Sequence, residues 1–351
     1  MQKINCAVLG ATGVVGQHFL RLLVDHPNFE LVAVMAGDAR AGLSLSTVKE
    51  QVEGGVPRSF GHLAFDPLDV DTLVGKGVKV AFSALPAETA VKVEKEAASK
   101  GIAVFSNAGS YRMEPDVPIL IPEINHPHLD LVKAQGTPGF IVTNATCTTT
   151  GLAMALLPIM PFGIRKLVMA SYQAISGAGY PGLSALDIFG NVIPYIKNEE
   201  PKVRSECVKI CGEFTGAAIQ PTDWQVFAHC IRVQTITGHL ISVHVELANE
   251  VRHEEIRQAF LDYQSPEAVR GLPTAPVQPI VYLEDADRPQ PRYDVLLGSP
   301  ERAKGMAVAI GRLEVEKKVV RFVTLSNNLV RGAAGGSMLN AELACRRGML
   351  N

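Results

Sequence analysis

The segment Asn144-Ala145-Thr146-Cys147-Thr148-Thr149-Thr150 places a cysteine between an apolar, strand-like run (Gly139 to Thr143) and a small-residue, helix-compatible run (Gly151 to Leu157). A thiol at a helix start feels the positive end of the helix dipole and its free amides, which lower a thiol pKa and can also hold an oxyanion. That is the setting of a nucleophile acting on an acyl group. The other five cysteines (Cys6, Cys207, Cys211, Cys230, Cys345) sit in apolar or helical surroundings. Cys207 and Cys211, one helical turn apart, have no companion ligands nearby, so they are expected to pack and no metal is expected.

Two further segments carry chemistry. In Arg232-Val233-Gln234-Thr235-Ile236-Thr237-Gly238-His239 a strand over Arg232 to Ile236 is expected to end in a turn where Gly238 exposes His239. A histidine suits proton transfer near neutrality, and an arginine can hold a carboxylate at two points. Near the N-terminus, Gly10-Ala11-Thr12-Gly13-Val14-Val15-Gly16 follows an apolar strand-like run and precedes a helix-like one. Glycines so spaced let the backbone turn sharply and approach a pyrophosphate, whose charge the helix N-terminus receives. After the next strand, Arg40 can pair with a 2′-phosphate, which would favour NADP. Asp38 can instead take ribose hydroxyls, which leaves NAD open.

The elements that must position these groups follow the same alternation. Apolar runs Ile4 to Leu9, Leu31 to Met35, Val78 to Ser83 and Ala103 to Ser106 alternate with helix-like stretches Gln17 to Asp25 and Ala87 to Lys100. This is the pattern of βαβ units and a parallel sheet. After Phe162 the segments lengthen (Arg165 to Ala174, Leu240 to Leu247, Met306 to Glu314, Val319 to Leu325). The expected second unit is therefore α+β with a mostly antiparallel sheet. Gln264 to Pro300, with seven prolines, is expected to be irregular surface connection, and a helix over Ser337 to Cys345 is expected to return to the first unit.

With 351 residues, 47% of them hydrophobic, the chain can fill two cores, which excludes a disordered or fibrous protein. A formal net charge of −2 offers no broad field for nucleic acid or anionic lipid, so the expected partners are small molecules. Scattered cysteines, no leader-like segment and no run long enough to span a bilayer point to the cytoplasm.

Six segments in order resemble the aspartate-semialdehyde dehydrogenase family, in the form found in archaea and fungi. They are Gly10 to Gly16, Ser106 to Arg112, the Cys147 segment, Gln173 to Gly182, the Arg232 to His239 turn and Asn328 to Gly336. The resemblance implies an α/β protein in which a Rossmann domain (residues 1–146 with a return over 326–351) joins an α+β catalytic and oligomerisation domain (147–325). It further implies an enzyme of amino-acid biosynthesis that assembles as a homodimer or homotetramer, with NADP-linked, phosphate-dependent reduction of aspartyl phosphate to aspartate semialdehyde through a cysteine thioester. By position, Cys147 would be the nucleophile, His239 the acid/base and Gln173 the group that orients the intermediate. Arg232 would hold the substrate carboxylate, Glu199 its amino group, and Arg112 with Lys202 the phosphate. Gly10, Thr12, Gly13, Val14, Gly16, Arg40, Ser44, Gly177 and Asn328 would meet the cofactor.

The family usually carries asparagine directly before the nucleophile, where this chain has Thr146. The related archaeal malonyl-CoA reductase also lacks that asparagine, and Leu272 to Pro276 and Asp287 to Gln290 are similar to it. An acyl-CoA reductase is thus the alternative substrate reading, while Glu199 and Lys202 suit an amino acid and a phosphate. A non-catalytic NADP-binding homologue is the alternative of another class. Retention of cysteine, glutamine, arginine and histidine in their motifs argues against it.

Overall fold

The computed structural model describes residues 2–350; the side chain of Asp38 lies outside the described residues. Short aliphatic runs, buried along most of their length, form a six-stranded sheet, as parallel strands between helix layers must. Its strands are β1 (Ile4–Leu9), β2 (Phe29–Met35), β3 (Phe65–Asp66), β4 (Val80–Ser83), β5 (Ala103–Ser106) and β6 (Phe140–Thr143). They lie in the order β3-β2-β1-β4-β5-β6, every pair parallel. Helices α1 (Val14–Leu23), α2 (Val70–Gly75), α3 (Ala87–Ser99) and α4 (Pro122–Asn125) make the connections. The order reverses between β1 and β4, so the loops leaving their C-terminal ends diverge and open a crevice.

The chain then passes through α5 (Cys147–Leu156) into a second six-stranded sheet. Its elements are β7 (Ile164–Gln173), α6 (Ala185–Ile188), α7 (Glu199–Ile210), a small hairpin β8 (Glu213–Phe214) and β9 (Ile219–Gln220), then β10 (Gln225–Arg232) and β11 (His239–Leu247). They continue with α8 (His253–Asp262), β12 (Ile280–Leu283), α9 (Pro291–Asp294), β13 (Val308–Glu316) and β14 (Val319–Ser326). The order is β10-β7-β11-β14-β13-β12. The three central pairings are antiparallel, but β10–β7 and β12–β13 are parallel. The sheet is therefore mixed, mostly antiparallel as expected and parallel at its two edges. A parallel neighbour needs a long crossover, and the segment containing α7 supplies one between β7 and β10.

Two local expectations also change. The strand at Arg232 runs up to that residue from Gln225 rather than onward to Ile236, because Val226, Ala228, Cys230 and Arg232 already share the buried face. The proline-rich stretch is mostly irregular, yet it contains β12 and α9. Its Val269, Leu272, Thr274 and Ala275 are buried, and the three apolar ones join the core of the first sheet, so it is an inner wall as much as a surface connection.

The return is made by a single π-helical turn, Val330–Ala334, continuing into α10 (Gly335–Arg346). Met338, Leu339 and Leu343 of α10 pack into the same core as Phe19, Leu20 and Phe82. Among the described residues no helix is long and apolar enough to cross a membrane.

Candidate active site

Strand periodicity assembles the site. Along β11, His239, Ile241, Val243, Val245 and Leu247 are buried and the residues between them are not. The same alternation buries Leu167, Met169, Ser171 and Gln173 on β7 and ends β10 at buried Arg232. Arg232 pairs in register with Gln173, and Leu240 with Tyr172, so Arg232, Gln173 and His239 occupy one end of one face of the second sheet. Helix α5 packs on that face, and its first residue is Cys147.

The result is a direct contact: Cys147 Sγ lies 3.2 Å from His239 Nε2, and the amide of Ala174 donates to His239 Nδ1 at 3.2 Å. His239 is completely buried, which corrects the expectation that Gly238 exposes it. Gly238, at φ +99, instead turns the chain where a Cβ would meet Val295 and Leu325. Burial pushes the Cys147 thiol up to about 12, the Glu199 carboxylate adding to it, while Arg232, Arg112 and the Thr148 amide pull the other way. The helix start alone predicts a lowered value; loss of solvation outweighs it. The same burial, with Arg232 nearby, pushes His239 down to about 3. At neutral pH the two groups are therefore an uncharged thiol and an uncharged imidazole in contact.

A cleft of about 870 Å³ runs from Thr12, Gly13 and Val14 past Arg40 to Cys147, and continues to Gln173, Glu199, Lys202 and Arg232. Arg112, Gly177 and Asn328 also line it. Thr148 Oγ1 donates to Glu199 Oε1 at 3.0 Å and Gln173 Nε2 approaches the same oxygen at 3.3 Å. Asn328 Nδ2 donates to Ser176 Oγ at 2.9 Å and its Oδ1 accepts from Gly238 N at 2.9 Å, which ties the return segment to the catalytic turn. Arg232 Nη1 donates to Ala174 O at 2.5 Å. Lys202 is exposed at the cleft.

The glycine loop fits a pyrophosphate by exclusion. A Cβ at Gly16 would stand 2.2 Å from Gly10 O, and one at Gly10, at φ +81, would stand 2.7 Å from Ala84 O. The N-terminus of α1 carries no side-chain cap, as an anion-receiving helix start requires. Ser44 is not brought to the cleft lining: its hydroxyl donates to Gly61 O and caps the Leu45–Thr47 turn.

Sequence reasoning passed over four residues here. Lys49 lines the cleft and donates to the Tyr180 hydroxyl from the opposite wall. Glu206 and Lys209 lie at three- and four-residue steps from Glu199 and Lys202 on α7, a spacing that marks one helix face. Gly332 presses its backbone on the nucleophile: a Cβ there would be 2.5 Å from Cys147 Cβ.

Comparison with known proteins places the chain in a family. The family described as semialdehyde dehydrogenase, NAD binding domain, matches residues 5–132, and semialdehyde dehydrogenase, dimerisation domain, matches 156–331. The chain belongs to the semialdehyde dehydrogenase family. An aspartate-semialdehyde dehydrogenase of Archaeoglobus fulgidus is 42% identical over 97% of this chain and 98% of its own. The enzyme of that name from Schizosaccharomyces pombe is 36% identical over 98% of each. A malonyl-CoA reductase (NADP) of Metallosphaera sedula is 34% identical over 100% of this chain and 99% of its own. The crystal structure of aspartate semialdehyde dehydrogenase with NADP from Candida albicans superposes with a TM-score of 0.88 at 34% identity over 99% of each chain. This semialdehyde dehydrogenase family member thus shares sequence and fold along nearly its whole length with those enzymes.

Proposed function

We propose that this chain is an NADP-dependent aspartate-semialdehyde dehydrogenase, which reduces aspartyl phosphate to aspartate semialdehyde with release of phosphate. The observation that carries the reading is the 3.2 Å contact between Cys147 Sγ and His239 Nε2 on a cleft that begins at the glycine loop. Its full-length similarity to enzymes of that name supports the substrate, and the Candida albicans complex supports NADP.

Cys147 passes its proton to His239 and attacks the acyl carbon, and the amides at the start of α5 receive the developing oxyanion. Phosphate leaves toward Arg112 and Lys202, and a thioester remains on Cys147. Arg232 holds the substrate carboxylate, Glu199 its amino group, and Gln173 orients the reacting carbon. Bound NADPH supplies the hydride that takes the thioester to the aldehyde oxidation level. His239 returns its proton to sulfur as the tetrahedral thiohemiacetal collapses, which frees the aldehyde. For the cofactor we propose Gly10, Thr12, Gly13, Val14 and Gly16 around the pyrophosphate, Arg40 at the 2′-phosphate, and Gly177 and Asn328 at the nicotinamide end.

We also read residues 1–146 with 326–351 as the NADP-binding domain and 147–325 as the catalytic and oligomerisation domain. The exposed Val168, Tyr172 and Phe227 on the outer face of the second sheet support a homo-oligomer formed there.

The test is phosphate-dependent reduction of NADP and of NAD with aspartate semialdehyde, run beside NADPH oxidation with malonyl-CoA. Activity in the malonyl-CoA assay alone would overturn the aspartate reading and leave the cysteine chemistry in place.

A further inference from the structure

Glu206 lies on α7, two turns after Glu199, and is 2% exposed. Its Oε2 accepts the Thr146 amide at 2.6 Å, and its Oε1 accepts the Thr146 hydroxyl at 2.8 Å and Arg112 Nη1 at 2.9 Å. Arg112 Nη1 also donates to Thr146 Oγ1 at 2.5 Å, and Nη2 donates to Asn107 O at 3.0 Å. Thr146 is the residue directly before Cys147 and holds the N-cap position of α5, its hydroxyl turned to Glu206 and Arg112 and not to the helix amides. One carboxylate therefore ties the start of the nucleophile's helix to an arginine on the cleft wall.

The backbone of that arginine is held by the same helix. Lys209 Nζ donates to the carbonyls of Arg112, Glu114 and Val117 at 2.7, 2.8 and 2.9 Å. Among the described residues, Arg112 Nε is left buried without a hydrogen-bond partner. A cation so placed beside a thiol favours thiolate, and its counter-charge opposes that effect.

We propose that Glu206 is a positioning residue for the proposed reaction, fixing Arg112 and the N-cap of α5 against each other and offsetting the Arg112 charge felt at Cys147. This rests on the reading of Cys147 as nucleophile. The carboxylate has two separable properties. Its reach spans Thr146 and Arg112 together, and its charge masks the guanidinium.

The experiment compares the full-length wild type with Glu206→Gln and Glu206→Asp. It follows thermal melting, the pH profile of Cys147 alkylation by iodoacetamide without cofactor, and kcat and the phosphate KM for semialdehyde oxidation. Glu206→Gln keeps an acceptor and loses the charge, so its alkylation profile moves about one unit to lower pH and its phosphate KM falls. Glu206→Asp keeps the charge and loses the reach, so its profile stays near wild type while kcat falls about tenfold or more. A folded Glu206→Gln variant with wild-type alkylation profile and phosphate KM overturns the proposal. If that variant does not fold, a folded Glu206→Asp enzyme with wild-type kcat overturns it. A wild type inactive on aspartate semialdehyde would instead sink the proposed activity, and the alkylation profiles would still decide the role of Glu206.

Discussion

Cys147 Sγ and His239 Nε2 meet at 3.2 Å, although 92 positions separate them in the chain. Burial holds the pair uncharged, the thiol pushed up and the imidazole down. Alkylation of Cys147 is therefore expected to accelerate steadily as pH rises past about 9, with no plateau between about pH 6 and 8, as a desolvated thiol requires. A neutral-pH plateau, followed by mass spectrometry of the labelled peptide, would reveal a resting ion pair instead. Cys147→Ala should abolish turnover, and His239→Gln should lower kcat by about 10²- to 10⁴-fold.

Acid should weaken the fold through histidines that burial keeps neutral. His239 is pushed down to about 3, and His128 and His18 to about 4, desolvation being the first cause in each. Below the ordinary value of 6.5 the unfolded chain takes up protons that the folded chain refuses, so stability falls as pH drops from 6.5 toward 4. For fully buried His239 the loss at pH 5 relative to pH 7 is on the order of 2 kcal/mol. Urea unfolding at the two pH values checks it; equal midpoints would show that these histidines do not govern acid stability.

Glycine substitutions should separate packing from ligand contact. Gly16→Ala and Gly10→Ala push a methyl into Gly10 O and Ala84 O, so both are expected to lower the melting temperature as well as cofactor affinity. Gly13→Ala meets only Gly10 O at 3.7 Å and should fold as wild type, losing cofactor affinity alone. Gly332→Ala drives a methyl onto Cys147 and should cost about a hundredfold in kcat through misplacement of the thiol. Calorimetry and cofactor titration of the four variants would expose any departure from this order.

Arg331, in the π-helical turn that bears Gly332, forms a two-point pair with Glu123 at 2.7 and 2.8 Å, and both side chains are almost wholly buried. Removing one partner leaves a buried charge uncompensated, so Glu123→Ala should destabilise the protein by about 3–5 kcal/mol. Replacing both, as Glu123→Leu with Arg331→Met, should cost much less than the sum of the single changes. Chemical denaturation of the double-mutant cycle measures the difference.

The chemistry of single segments was legible in the sequence, because each depends on local order. A strand, a glycine-spaced turn and a helix in succession announce Gly10 to Gly16, and a cysteine after a strand announces the start of α5. Long strand-like segments also made β7, β11 and β14 recognisable, and six motifs in order pointed to the family. That the strand at Arg232 ends there, and does not begin there, is not legible in the sequence, since an alternating run does not state at which end it stops.

Tertiary structure decided what those segments do to one another. Sheet order brought Gln173, Arg232 and His239 to one end of one face, and packing of α5 on that face set Cys147 against the histidine. Desolvation, which reversed the expected shift of the thiol, exists only once the cleft walls are in place. Glu206 was readable as a point on a helix face, but its partners Thr146 and Arg112 come from distant loops. Sequence fixes the types and periodicities of side chains; contacts between charges many residues apart are set by how the two sheets and α7 pack around the nucleophile.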